Sequence, residues 1–184
     1  QKGLICQGWN RTLEQLKQYD RKVDVGATYI TDDGTTRIYI TLQDGRTSPM
    51  LGVCPNGTVT VDWGDGTTPD VLTGTSTSIV QWTPNHNYAS AGDYVIKLTV
   101  DGEMMFYGSY STDNGPAILR YASTADTRNN IYKDSVIKVE IGSGMLRLAQ
   151  YAFYDCRSLK NITIPNNVNR CSGYCFAFCD SLTS

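Results

Sequence analysis

The stretch VEIGSGMLRLAQYAFYDC, Val139 to Cys156, is answered 23 residues later by ITIPNNVNRCSGYCFAFC, Ile162 to Cys179. Laid over one another, Val139 falls on Ile162, Ile141 on Ile164 and Met145 on Val168. Leu148 falls on Cys171, Ala152 on Cys175, Phe153 on Phe176 and Cys156 on Cys179. Every pair is apolar, and just upstream Val136 falls on Leu159 in the same way. Between residues 134–156 and 157–179 six positions are identical, among them Tyr151 with Tyr174, and a third unit opens at DSLTS. Such self-similarity predicts stacked coils, each burying its apolar face against the next.

The register decides how the late cysteines are read. Cys171, Cys175 and Cys179 fill slots that the preceding unit gives to Leu148, Ala152 and Cys156, so they are expected to pack as compact apolar thiols. Zinc would need a fourth ligand, and the only histidine, His86, lies elsewhere. Equivalent residues on stacked strands lie about 4.8 Å apart with parallel Cβ vectors, whereas a disulfide needs converging Cβ atoms. Cys156 and Cys179 should therefore stack unbridged. Nothing local decides whether Cys6 and Cys54 are bridged.

Working outward from the repeats, residues 103–133 lose the pattern and read as a connector with room for one more strand. Before them, from residue 37, period-two alternation is clean: Ile38, Ile40 and Leu42; Val59, Val61 and Trp63; Tyr94, Ile96, Leu98 and Val100. QDG, PNG, WGDG and SAGD read as the turns that separate these runs. Short half-buried strands at this spacing predict a β-sandwich over 37–102. Residues 1–36 are expected to hold a short helix, capped by Thr12 and Gln15, and then a strand in VDVGATYI, the whole packed on the sandwich.

The totals exclude several function classes. A net charge of −2 on 184 residues offers no electrostatic case for nucleic acid or an anionic membrane. No apolar run is long enough to cross a bilayer. The opening QKGLICQGWN lacks the apolar core of a signal peptide.

Two resemblances rest on residues already quoted. VTVDWGDGTTP followed by HNYASAGDYVIKLTV resembles a polycystic-kidney-disease (PKD) domain, an immunoglobulin-like β-sandwich common in extracellular proteins; Trp63 stands where that family usually has Phe. YAFYDCRSLKNITIPNNV resembles the BspA-like leucine-rich repeats of bacterial surface proteins, with Cys175 in place of the usual Ala and Gly142 where the second unit has Pro165. The 23-residue period also lies within the leucine-rich-repeat range. Together the resemblances imply a mainly β fold, a PKD-type sandwich followed by the start of a BspA-like solenoid at 134–184. They also imply a bacterial protein located at the cell surface, outside the cell.

For chemistry the sequence offers little. Asp62, Asp65 and His86 make a poor acid–base group, because the carboxylates suit a turn and the histidine suits a strand-end hydrogen bond. DWGDGT lacks the ligand spacing of a calcium loop. The sequons at Asn10, Asn56 and Asn161 are expected to be chance. Trp63 should be core and Trp82 packed. No enzyme, metal or cofactor is therefore expected. The candidate binding face is the outward row of the repeat strands, Lys138, Glu140, Asn161 and Thr163, with Val139, Ile141, Ile162 and Ile164 turned inward. The expected partner is a host or matrix protein or a glycan, bound in adhesion. An accessory module of a larger secreted polysaccharide-degrading or proteolytic enzyme is the alternative. The uncovered last coil is expected to be followed by further repeats or to self-associate.

Overall fold

The computed structural model describes residues 4–9, 27–31, 33–107, 118–120 and 132–183. Two compact units divide the chain between Asp33 and Gly34. In the first, β1 (Leu4–Trp9) and β2 (Ala27–Thr31) pair antiparallel, with a register irregularity between Cys6 and Gly8. β2 is the strand expected within VDVGATYI. The helix expected at 12–19 lies outside the described residues, as do the side chains of Cys6 and Trp9.

The second unit is built from β3 (Thr36–Leu42), β4 (Met50–Asp62), β5 (Asp70–Thr75), β6 (Gln81–Trp82), β7 (Gly92–Phe106), β8 (Leu119–Arg120), β9 (Val136–Glu140), β10 (Arg147–Leu148), β11 (Asn161–Thr163) and β12 (Arg170–Cys171). A single 3-10 turn, Lys133–Ser135, precedes β9, and among the described residues there is no α-helix. One hydrogen-bonded path runs β11-β9-β3-β7-β4-β5, with β6 and β8 also on β4. The fold is mainly β.

Alternation decides which face of this path is core. Ile38, Ile40 and Leu42 of β3, Ile96 and Leu98 of β7, Val59 and Val61 of β4, and Val139 of β9 are all fully or nearly fully buried. They face one way because the register sets Ile38 opposite both Ile96 and Val139, and Val61 opposite Leu98. Burying these side chains is worth about 1.5–3 kcal/mol each. Trp63, expected in the core, is fully buried.

β4 and β7 are long because they do not end where the sequence places turns. PNG reads as a turn, yet Pro55, Asn56 and Gly57 lie inside β4, and the Asp101-Gly102 step lies inside β7. Gly57 sits opposite Gly102 on one side and Gly74 on the other. Gly57 (φ 125°) and Gly102 (φ 113°) take backbone angles that side chains rarely adopt. A Cβ on any of the three would collide with a neighbouring strand: at Gly57 with the Asp101 carbonyl, at Gly102 with that of Asn56, at Gly74 with that of Pro55. Three glycines thus crease the sheet along one line. Beyond the crease the same parity stays buried, with Leu51 and Val53 of β4 and Met104 and Phe106 of β7. The tract expected to begin a connector at residue 103 is therefore strand as far as Phe106. The further strand expected in the connector is β8.

The coils follow the 23-residue register. β9 and β11 pair in parallel as Lys138 with Asn161, Val139 with Ile162 and Glu140 with Thr163, and β10 and β12 as Arg147 with Arg170 and Leu148 with Cys171. The Phe153 and Phe176 rings stack at 5.5 Å and 5°, and the Tyr151 and Tyr174 rings at 5.3 Å and 9°. Tyr151 and Tyr174 also share left-handed backbone angles, φ 63° and 59°.

The first coil does not stand apart from the strands before it. β9 pairs antiparallel with β3. The Phe106 ring meets Phe153 edge-on at 5.5 Å, whereas the Phe176 ring of the next coil stacks on Phe153 face to face. Gly142 explains its own departure from the repeat: a Cβ there would strike the backbone of Gly34 and Thr35, and one at Gly144 would strike Val100. A single cluster of buried residues runs from Ile38 to Cys175. Compact units are 1–33 and 34–184, so the expected segments 37–102 and 134–184 are not separated as units.

The second coil is less covered than the first. Ile164, expected to face inward like the buried Ile141, is 38% exposed, and Cys171 is exposed where Leu148 is fully buried. A third unit begins over the second coil at Thr183, whose amide donates to the Lys160 carbonyl at 3.2 Å as the Lys160 amide donates to that of Ile137 at 2.8 Å.

Candidate functional site

The outer face of the shared sheet is set by the residues that alternate with the core. Its register is legible row by row. Glu140 of β9 lies opposite Arg37 of β3, Arg37 opposite Lys97 of β7, and Lys97 opposite Asp62 of β4. The next row is Asn161, Lys138, Tyr39 and Val95, and a third places Thr41 opposite Asp93. Along β3, Arg37, Tyr39 and Thr41 follow at steps of about 7 Å. From these rows Arg37, Tyr39, Thr41, Asp93, Val95, Lys97 and Lys138, but not Glu140, Asp62 or Asn161, line an open depression of about 750 Å³ that reaches Gly64.

Polar groups in the depression are organised among themselves. The Tyr39 hydroxyl donates to Glu140 Oε2 at 2.9 Å, and Lys138 Nζ pairs with Glu140 Oε1 at 2.7 Å. The Lys138 ammonium lies 4.9 Å from the centre of the Tyr39 ring, a cation–π approach. Burial, then the hydrogen bond to Glu140, holds the Tyr39 hydroxyl above its ordinary pKa. The Thr41 hydroxyl donates to Asp93 at 2.6 Å, and Lys97 faces Asp62 at 3.7 Å. The latter pair is well exposed, so it adds little stability.

Of the face expected from the repeats, Lys138 lines the depression, while Asn161 and Thr163 continue its rows on β11. Glu140 differs from the expectation: it faces outward but is only 9% exposed, because Tyr39 and Lys138 close over it. It orders the floor instead of projecting. The depression's other residues, Arg37, Tyr39, Thr41, Asp93 and Lys97, were not singled out by the sequence. Only the unexpected β3–β9 pairing brings them beside the repeat strands, although their outward parity was readable.

The turn after β4 is tied down as its residues predicted. Asp65 accepts from the Thr67 amide at 3.1 Å and from the Thr67 hydroxyl at 2.6 Å. Its other oxygen meets His86 Nε2 at 2.7 Å. The His86 ring stacks on Trp63 at 4.6 Å and 8°, and the Tyr88 hydroxyl donates to the Trp63 carbonyl at 2.9 Å. Burial would raise the Asp65 carboxyl, but the hydrogen bonds from Thr67 and His86 outweigh it and hold the group below its usual range. Trp82 is half-buried against Gly52 and meets Tyr107 edge-on at 5.2 Å.

Cys54, Cys156, Cys171, Cys175 and Cys179 are free. Among the described residues no three His, Cys, Asp or Glu side chains are placed to hold a metal ion. No described helix is long and apolar enough to cross a membrane.

Residues 127–184 match the family model of the BspA-type leucine-rich-repeat region, a model of six copies. The coils seen here lie within the matched residues and are similar to leucine-rich repeats of the BspA type. No curated protein and no solved structure matches the chain.

Proposed function

We propose that this chain is a non-enzymatic recognition segment of a bacterial cell-surface protein, acting outside the cell in adhesion or ligand binding. A PKD-like β-sandwich would form its N-terminal part and a BspA-type solenoid its C-terminal part. The BspA-type match over 127–184 supports the surface assignment, since that repeat type resembles those of bacterial surface proteins. The observation that carries binding is the open depression on the outer sheet face, where the strands before the repeats and the first repeat strand contribute side chains to one surface. Concave sites with a few convergent polar groups are the usual places for ligands, and solenoids commonly bind through an exposed strand face.

A panel of matrix proteins and glycans tests the reading. The chain should bind at least one of them, and charge-removing substitutions at Arg37 and Lys97 should weaken that binding at least tenfold without altering the fold. Binding to nothing on the panel would leave a spacer, and hydrolysis of any panel member would overturn the non-enzymatic reading.

A further inference from the structure

The charged row across the outer face sums to zero, but its two cations stand side by side. Across four strands the sequence of side chains is Glu140, Arg37, Lys97, Asp62: two cations directly opposite one another, with an acid outside each. Like charges set directly across a strand pair repel, so an anion placed between Arg37 and Lys97 would gain from both. One step along the strands Tyr39 lies beside Val95, an apolar strip bordered by the Lys138 ammonium 4.9 Å from the centre of the Tyr39 ring. One step further lie the Thr41 hydroxyl and the Asp93 carboxylate. The depression therefore offers a cationic edge, an apolar middle and an edge that accepts hydrogen bonds.

We propose, resting on the recognition reading above, that this depression binds an acidic glycan. A hexuronate carries its carboxylate on one side of the ring and its hydroxyls on the other. The carboxylate lies between Arg37, whose Nη1 also donates to the Thr35 carbonyl at 3.3 Å, and Lys97, which faces Asp62 at 3.7 Å. The apolar face of the sugar ring lies on the Tyr39–Val95 strip, and ring hydroxyls donate to Asp93. Glu140 and Lys138 fix the Tyr39 side chain and take no direct part. A polyanionic peptide fits worse, because Asp62, Asp93 and Glu140 all stand on this face and would meet its repeated negative charges.

The test is a titration of isotopically labelled protein with three probes: a uronic-acid oligosaccharide, a neutral oligosaccharide of equal length, and a poly-glutamate peptide. Amide shifts map the site, and calorimetry gives Kd. The uronate should shift residues of β3, β7 and β9 around Arg37, Tyr39, Asp93 and Lys97, and bind at least tenfold more tightly than the neutral sugar. Raising the salt concentration should weaken it. Lys97→Gln and Arg37→Gln should each cost at least fivefold in affinity, while the exposed Lys160→Gln should leave it unchanged. Near-UV circular dichroism confirms the fold of each variant. Equal binding of the neutral sugar, tighter binding of the peptide, or uronate shifts lying elsewhere would each overturn the proposal. If the uronate fails while a matrix protein from the panel binds, the glycan proposal falls and the recognition reading stands; if every panel member fails as well, both fall.

Discussion

Asp65 is held in its ionised form by Thr67 and His86 against the cost of burial. Its folded-state pKa therefore lies below the unfolded value of about 3.9. The stability it contributes is complete above that value and is lost as pH falls through the folded-state pKa. Asp65→Asn should lower stability at neutral pH and flatten the decline below about pH 4. Denaturant titrations across a pH series check this; an acid decline equally steep in both proteins would contradict it. The thiols divide by the same physics. Burial pushes Cys175 up to about 12, Cys156 far above the ordinary thiol, and Cys54 and Cys179 in the same direction, while Cys171 is exposed. Because the thiolate is the nucleophile, alkylation of the native protein near pH 8 should label Cys171 before those four, as read by peptide mapping. Rapid labelling of Cys156 would show that its coil is open.

At the scale of the element, the crease is the feature most sensitive to a single atom. Gly102→Ala must accept both an unfavourable φ and a collision with the Asn56 carbonyl, and should cost about 1–3 kcal/mol or more. Gly45→Ala, at φ 73° in an open turn with no neighbour within 4 Å, pays the conformational term alone, about 1–2 kcal/mol. Chemical denaturation of the two variants should rank them in that order. The crease also shows where sequence patterns stop being decisive. Pro55-Asn56-Gly57 and Asp101-Gly102 have turn composition, but a turn and a strand fold ask for the same residues. Only the partner strand, with Gly102 and Gly74 set against Gly57, separates the two cases. Alternation inside the strands was legible, because period two is a local property. Glu140 was placed on the correct face, yet its burial depends on Tyr39, a hundred residues away in sequence, and no local pattern carries that.

Across the whole molecule, residues 34–184 share one core. Reading the repeats as a separate body predicts two melting transitions; the continuous cluster predicts one for this unit. Phe153→Ala, at a fully buried ring between Phe106 and Phe176, should cost about 3–5 kcal/mol and lower that single transition. Phe176→Ala, at a half-buried ring, should cost less. A double-mutant cycle between Phe106 and Phe153 should give a coupling of about 0.5–1.5 kcal/mol. Calorimetry of the single variants checks the first expectation: two resolved transitions, with only one shifted, would mean that the coils fold on their own. The repeat register was legible at a distance because each coil restates it. Its docking was not, because Phe106 follows a glycine step that breaks the strand pattern, and Gly142 looks like a defect until Gly34 is seen against it.

Gly142, Gly144 and Phe106 thus set the phase of the winding before the second turn begins. Insertions or deletions of a whole period downstream of Cys156 would lengthen or shorten the spool without disturbing its hub. A change of any other length would throw every later side chain out of step.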